Sequence, residues 1–187
     1  MPEFHNNNDE LSVADQESIE RLEHLNLGPE QKAGLILVKL GLKPAAELDV
    51  YDWNESPADC ERMIAEAGLT MERKDIEHTK NKKLKARYAV AKEPGVATQL
   101  ANIDSARDHE TYGRLMGFPE TAIHAFQNAE ELLKPENYPE DEDIIFRFKL
   151  SKDHWPDEVQ VMKQWSEAIK RHAPDLFEQL KGKAQPH

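Results

Sequence analysis

The sequence lacks the features that mark several large classes of protein. Its single cysteine, Cys60, excludes an internal disulfide and favours a reducing compartment. No apolar run approaches the roughly 20 residues of a membrane-spanning helix, and the polar residues 1–10 do not have the basic-then-apolar order of a signal peptide. We therefore expect a cytoplasmic protein.

Motifs of the common catalytic classes are also missing. The sequence contains no phosphate-binding loop, dinucleotide fingerprint, G-x-S-x-G run or H-E-x-x-H run, and its eight histidines form no Cys/His zinc pattern. Cys60 has Asp59 and Glu61 beside it, whose charges disfavour a thiolate. We predict neither a cofactor nor a metal site, and whether the protein is an enzyme stays open.

Acidic residues outnumber basic ones, 36 to 24, which gives a net charge of −12. Such a charge argues against a surface that is wholly devoted to coating nucleic acid. A chain of 187 residues is long enough to bury a real core. We predict one globular domain over 11–182, with a possible N-terminal helical lobe at 11–68, a disordered segment at 1–10 and a flexible one at 183–187.

The pattern of apolar residues predicts an α+β fold, a mostly helical single domain with a small antiparallel sheet of two or three strands. Residues 42–56 are interpreted as a connection with one short helical piece at 44–48. Strands are predicted near 70–78, 83–91 and 144–150. Helices are predicted near 12–26, 29–40, 57–67, 95–103, 105–116, 119–133, 155–172 and 174–181.

Residues 112–120 read Tyr-Gly-Arg-Leu-Met-Gly-Phe-Pro-Glu and predict a corner between two helices. Gly117 lies where a left-handed residue would end the first helix, and Pro119 suits the start of the second. Gly113 lies four residues before Gly117, hence on the same helical face. This glycine face predicts either tight helix packing or a notch that faces a ligand.

The same corner resembles that of an uncharacterised microbial family, a domain of unknown function, whose members carry a Tyr-Gly-x-Leu-x-Gly-Tyr-Pro-Glu run. The resemblance covers residues from about 89 to 181, and it includes a short strand before the last long helix, matched here by 144–150. Members typically have paired cysteines after the Pro-Glu, where this sequence has Thr121 and Ala122. This departure argues against a cysteine-based metal or redox role, and the resemblance implies no known activity.

Basic residues are concentrated between residues 72 and 92, where eight Lys or Arg face only three Asp or Glu. If the strand at 144–150 lay beside the one at 83–91, their cations would share one solvent-facing surface, which we call the basic face. The alternatives are a solvated face, or one neutralised by the acidic loop 136–143. The candidate anion-binding residues are Lys80, Lys82, Lys83, Lys85, Arg87, Arg147 and Lys149.

Three functions follow from these patterns. The first is a binding or regulatory module that uses the basic face for an anionic ligand, an acidic protein segment or nucleic acid. The second is a small enzyme or metal-binding protein with a pocket at the corner, for which the candidate residues are His109, Tyr112, Arg114 and His124. The third is a protein-interaction module or homodimer. We favour the first.

Overall fold

A three-stranded antiparallel sheet lies among the helices of this chain. The computed structural model describes residues 11–51, 56–78 and 84–181, so the predictions for 1–10 and 183–187 lie outside the described residues. The α+β fold class is confirmed. The elements are α1 (Val13–His24), α2 (Pro29–Lys39), β1 (Ala45–Tyr51), α3 (Pro57–Glu66), β2 (Thr70–His78), β3 (Leu84–Ala91), α4 (Pro94–Asn102), α5 (His109–Leu115), α6 (Glu120–Gln127), α7 (Trp155–His172) and α8 (Pro174–Lys181).

The sheet has the order β1-β3-β2, with β3 in its centre. The predicted strands near 70–78 and 83–91 are confirmed as β2 and β3. The third strand is β1, which replaces the helical piece predicted at 44–48. Within β1, Leu48 and Val50 are buried and alternate with Glu47 and Asp49. This period of two is typical of a strand, and the segment pairs with β3 along its whole length.

The predicted strand at 144–150 is wrong. This segment forms no strand among the described residues, and two of its backbone N–H groups donate to side chains instead. Ile145 N donates to Ser166 Oγ at 3.1 Å, and Leu150 N donates to Tyr138 Oη at 3.0 Å. The alternation there reflects an irregular segment packed on α7, whose Val159 and Met162 share a small core with it.

Both faces of the sheet are covered in part. On one face, Ala86, Tyr88 and Val90 of β3 join the main core, to which α1, α2, α3, α7 and α8 also contribute. On the other face, Ala89 and Ala91 pack in a second cluster with the apolar residues of α4. The small residues of β3 therefore mark the place where a helix approaches the sheet closely. Within the described ranges, no helix is long and apolar enough to cross a membrane.

The helix corner forms as the glycine spacing predicts. Gly117 has a φ of 79°, and Phe118 N donates to Gly113 O at 3.0 Å while Gly117 N donates to Arg114 O at 3.0 Å. This is the Schellman arrangement, which satisfies the last carbonyls of α5.

Both helices at the corner are shorter than predicted. Helix α5 begins at His109 because Asp108 caps it, accepting a hydrogen bond from Thr111 N at 3.0 Å. Helix α6 ends at Gln127 because Asn128 leaves the helical conformation and caps a following 3-10 turn at Ala129–Glu131. The predicted helices at 105–116 and 119–133 therefore exist, but each loses a turn or more to a side-chain cap.

Candidate ligand-binding pocket

A cavity of about 380 Å³ lies at the corner between α5 and α6, and the irregular segment 147–149 closes one side of it. We call it the corner pocket. Its volume falls in the range of small-molecule sites. Its apolar lining consists of Gly113, Phe118, Ala122, Ile123, Phe126 and Phe148. Its polar lining consists of Ser105, His109, Tyr112, Arg147 and Lys149.

Gly113 combines the two roles that the sequence left open. A Cβ atom at this position would lie 2.8 Å from Ile123 Cγ1, closer than packed side chains allow. The missing side chain thus lets α5 approach α6, which confirms tight helix packing. The same residue also lines the corner pocket, so the close approach shapes a ligand-sized space.

Phe126 is the most exposed apolar residue of the pocket. Ala122 and Ile123 of the same helix are buried, but 44% of the surface of Phe126 is exposed. The ring of His109 meets it edge-on at a centroid distance of 5.3 Å, and Lys149 Nζ lies 5.6 Å from its centroid. Because Phe126 both lines the cavity and is exposed, its ring is available for contact with a ligand.

Two cations stand at the polar side of the pocket without a counter-charge. Within the described ranges, no carboxylate oxygen lies within 4.0 Å of the charged groups of Arg147 or Lys149. Both residues are exposed and both line the cavity. Their positive charge is therefore available to an anion that enters the pocket.

Tyr112 is held in place by an acid on the sheet. Its hydroxyl donates to Glu47 Oε2 at 3.2 Å, and Lys74 Nζ lies 2.7 Å from Glu47 Oε1. Burial, reinforced by the negative charge of Glu47, raises the pKa of Tyr112 to about 12. The phenol therefore stays protonated at neutral pH, and the residue anchors α5 to β1 rather than accepting protons.

Two of the predicted corner candidates lie outside the pocket lining. Arg114 forms ion pairs with Glu110, at 2.5 Å, and with Glu120, at 2.7 Å. The hydrogen bonds that Arg114 donates to Glu120 are the main reason that the pKa of Arg114 is raised. His124 is exposed on α6. The structure thus places His109 and Tyr112 at the pocket but not Arg114 or His124.

The cations of β3 are matched by acids on the two flanking strands. Lys85 Nζ lies 2.8 Å from Asp49 Oδ2, and Arg87 Nε lies 3.4 Å from Asp49 Oδ1. Arg87 also reaches Asp75 of β2 at 3.9 Å. Arg87 lies directly opposite both acids in the strand register, and Lys85 reaches Asp49 diagonally, which are favourable cross-strand arrangements.

The basic face is therefore not one continuous surface. Because 144–150 does not join the sheet, Arg147 and Lys149 line the corner pocket instead of extending the row of Lys85 and Arg87. Lys80, Lys82 and Lys83 lie outside the described residues. Among the described residues, the acidic loop 136–143 makes no ion pair with the sheet: Asp141 pairs with Lys163, and Asp143 with Lys170 and Lys181.

The other candidate chemistries find little support. In the part of the chain that the structure describes, no three His, Cys, Asp or Glu residues are arranged to hold a metal ion. Cys60 is fully buried in the main core, so solvent does not reach its thiol.

Sequence reasoning missed the aromatic walls of the pocket. Both phenylalanines could have been noticed in the sequence. Phe118 belongs to the corner run at 112–120, and Phe148 lies between the candidate residues Arg147 and Lys149. The two rings come together because 144–150 packs at the corner instead of joining the sheet, and local sequence patterns do not predict that packing.

Comparison with protein-family models finds no match for the chain, and comparisons with curated proteins and with solved structures find none either. The resemblance of residues 89–181 to a domain-of-unknown-function family therefore stays a prediction.

Proposed function

We propose that the protein is a binding module whose corner pocket takes a small organic anion with an apolar body. The observation that carries this proposal is the combination of a largely apolar lining with two cations, Arg147 and Lys149, that have no carboxylate partner among the described residues. Apolar burial supplies affinity in such sites, and a few charged groups fix the orientation of the ligand.

This proposal keeps the anionic ligand that the sequence suggests but moves it from the sheet to the corner. Lys85 and Arg87 already have carboxylate partners, so an incoming anion would have to displace Asp49. Arg147 and Lys149 have no such competitor among the described residues. A cavity of about 380 Å³ suits a small molecule better than a protein segment or a nucleic acid duplex.

The enzyme alternative depends on His109, whose imidazole lines the same pocket. Within the described ranges, His109 makes no hydrogen bond to a nucleophile or to an orienting carboxylate, and its one ring contact is with Phe126. A general base normally has such a partner. Binding is therefore favoured over catalysis.

A matched pair of ligands tests the proposal by isothermal titration calorimetry. Naphthalene-2-carboxylate and naphthalene-2-methanol have nearly the same shape, but only the first carries a charge. We expect the carboxylate to bind about tenfold tighter, since a charge-assisted contact is worth ~1.5–3 kcal/mol and ~1.4 kcal/mol is tenfold in affinity. Raising the salt concentration should reduce the difference in affinity between the two ligands, because salt screens the charge of the carboxylate.

The double variant Arg147→Gln/Lys149→Met should bind both ligands equally weakly. Arg171→Gln is the matched control, because Arg171 is exposed near the end of α7 and does not line the pocket. The proposal is wrong if neither ligand binds the wild-type protein at millimolar concentration, or if the double variant keeps the preference for the carboxylate.

A further inference from the structure

We infer that the ligand of the corner pocket is an aromatic acid in its anionic form, a planar aromatic ring with its negative group attached directly to the ring. This inference rests on the proposed function and narrows its ligand class. It comes from three features of the pocket: the chemistry of its walls, the exposed ring of Phe126, and the short distance between that ring and a cation.

The walls of the pocket are mainly aromatic. Phe118, Phe126 and Phe148 line it together with Tyr112 and His109, whereas Ala122 and Ile123 supply its aliphatic surface. Aromatic rings prefer offset or edge-to-face contacts with other rings, and such a pair is worth roughly 0.5–1.5 kcal/mol beyond the area that it buries. An aliphatic chain of the same size would gain only the buried area.

The rings that line the pocket already contact other rings, and Phe118 and Phe148 both contact Trp165, at centroid distances of 6.4 and 6.0 Å. Phe118 and Phe148 lie 5.3 Å apart with their planes tilted by 40°, and His109 meets Phe126 edge-on at 76°. Phe126 is still 44% exposed, so the imidazole edge leaves much of its surface uncovered. A planar ligand ring in the cavity would cover part of that surface.

The position of the charge follows from Lys149. Its Nζ lies 5.6 Å from the centroid of Phe126, so the cation and the exposed ring are within one ligand's width of each other. A ligand whose ring contacts Phe126 can place its anionic group at Lys149 only if that group is close to the ligand ring. Arg147 adds a planar guanidinium, which can bind a carboxylate through two parallel hydrogen bonds.

Saturating the ligand tests this inference without changing its charge. Naphthalene-2-carboxylate is compared with decahydronaphthalene-2-carboxylate, which has the same carbon skeleton but no aromatic ring. We expect the aromatic acid to bind the wild-type protein about tenfold tighter by calorimetry. This is the gain from roughly two ring–ring contacts.

The variant Phe126→Leu keeps an apolar side chain but removes the ring. It should bring the preference for the aromatic acid below about threefold while changing the affinity for the saturated acid by less than about twofold. Phe146→Leu is the matched control, because the ring of Phe146 packs against that of Trp165, at a centroid distance of 6.0 Å, and does not line the pocket. Its preference should equal that of the wild-type protein.

The outcomes separate the inference from the function on which it rests. If both acids bind equally and both are lost in Arg147→Gln/Lys149→Met, the aryl inference is wrong and the binding function stands. If the preference persists in Phe126→Leu, the ring of Phe126 does not recognise the ligand and the inference is also wrong. If neither acid binds, the proposed function fails and the inference fails with it.

Discussion

Replacing Lys43 by methionine should stabilise the protein at neutral pH. The Lys43 side chain lies against the main core, with Nζ 5.0 Å from the ring centroid of Trp165 and 6.0 Å from that of Phe118. No carboxylate of the described residues pairs with it. Burial without a counter-charge disfavours the protonated amine and lowers the pKa of Lys43 from 10.5 to about 8.

The magnitude follows from that pKa. A shift from 10.5 to about 8 corresponds to an unfavourable free energy of ~3 kcal/mol for holding the charged amine in the folded state. The attraction between the cation and the indole ring offsets ~1–2 kcal/mol of this. Methionine keeps an unbranched apolar side chain, so Lys43→Met should raise the free energy of unfolding at pH 7 by about 1–2 kcal/mol.

The pH dependence gives the sharper test. Between about pH 8 and 10.5 the folded protein binds fewer protons at Lys43 than the unfolded chain does, so this group adds stability as the pH rises. The advantage of Lys43→Met should therefore be complete below about pH 8 and shrink towards pH 10. The free energy of unfolding in urea, measured at pH 7, 8, 9 and 10 for both proteins, gives this difference.

Lys134→Met is the matched control for this experiment. The side chain of Lys134 is exposed and makes no hydrogen bond or ion pair with the described residues, so its replacement should change stability little at any pH. The reasoning is refuted if Lys43→Met is less stable than the wild-type protein at pH 7. It is also refuted if the difference between the two proteins is the same at pH 7 and pH 10.

Three further changes test the packing around the pocket. Gly113→Ala should cost about 1–3 kcal/mol in thermal unfolding, because its Cβ would lie 2.8 Å from Ile123 Cγ1 and force the helices apart. Glu158→Leu should cost about 1–3 kcal/mol, since this buried carboxylate accepts three hydrogen bonds and leucine would leave the buried N–H of Ser151 without its acceptor. Asp143→Asn should lower the melting temperature at pH 7 but not well below pH 3.8, because Lys181 holds the pKa of Asp143 below that value and the pairing is lost as the carboxyl protonates.

The sequence predicts those elements whose ends and periods are local. Gly117 ends α5 because its left-handed conformation is cheap only for glycine, and this could be read from the residue type alone. The strand pattern of β3 was visible in the same way, since a period of two is a property of the segment itself.

The elements that sequence reasoning missed depend on distant partners. Residues 45–51 become a strand because β3 lies beside them and pairs with them from Ala45 to Tyr51. Residues 144–150 alternate equally well, yet Ile145 N and Leu150 N donate to the side chains of Ser166 and Tyr138, and the segment pairs with no strand among the described residues. Alternation alone does not distinguish these cases, because both segments bury one side of an extended backbone.

The error at 144–150 also separated two halves of one site. Arg147 and Lys149 were placed on the sheet with Lys85, while His109 and Tyr112 were placed in a pocket at the corner. Once the segment leaves the sheet, its cations and the corner residues line the same cavity. Two competing hypotheses, an anion-binding face and a corner pocket, therefore combine in a single candidate site.

The charge balance of the chain makes the unpaired cations of that site informative. Carboxylates outnumber Lys and Arg by 36 to 24, so acids are not scarce, and Lys85 on the sheet has one at 2.8 Å. Arg147 and Lys149 instead have phenylalanines beside them in the cavity. Surface ion pairs contribute little stability, so leaving these two cations unpaired costs the fold little and keeps an attractive field for an anion. An acid introduced elsewhere in the lining of the same cavity, as in Ser105→Glu, should therefore leave the melting temperature nearly unchanged and abolish binding of naphthalene-2-carboxylate; retention of that binding would contradict an electrostatic role for the pair.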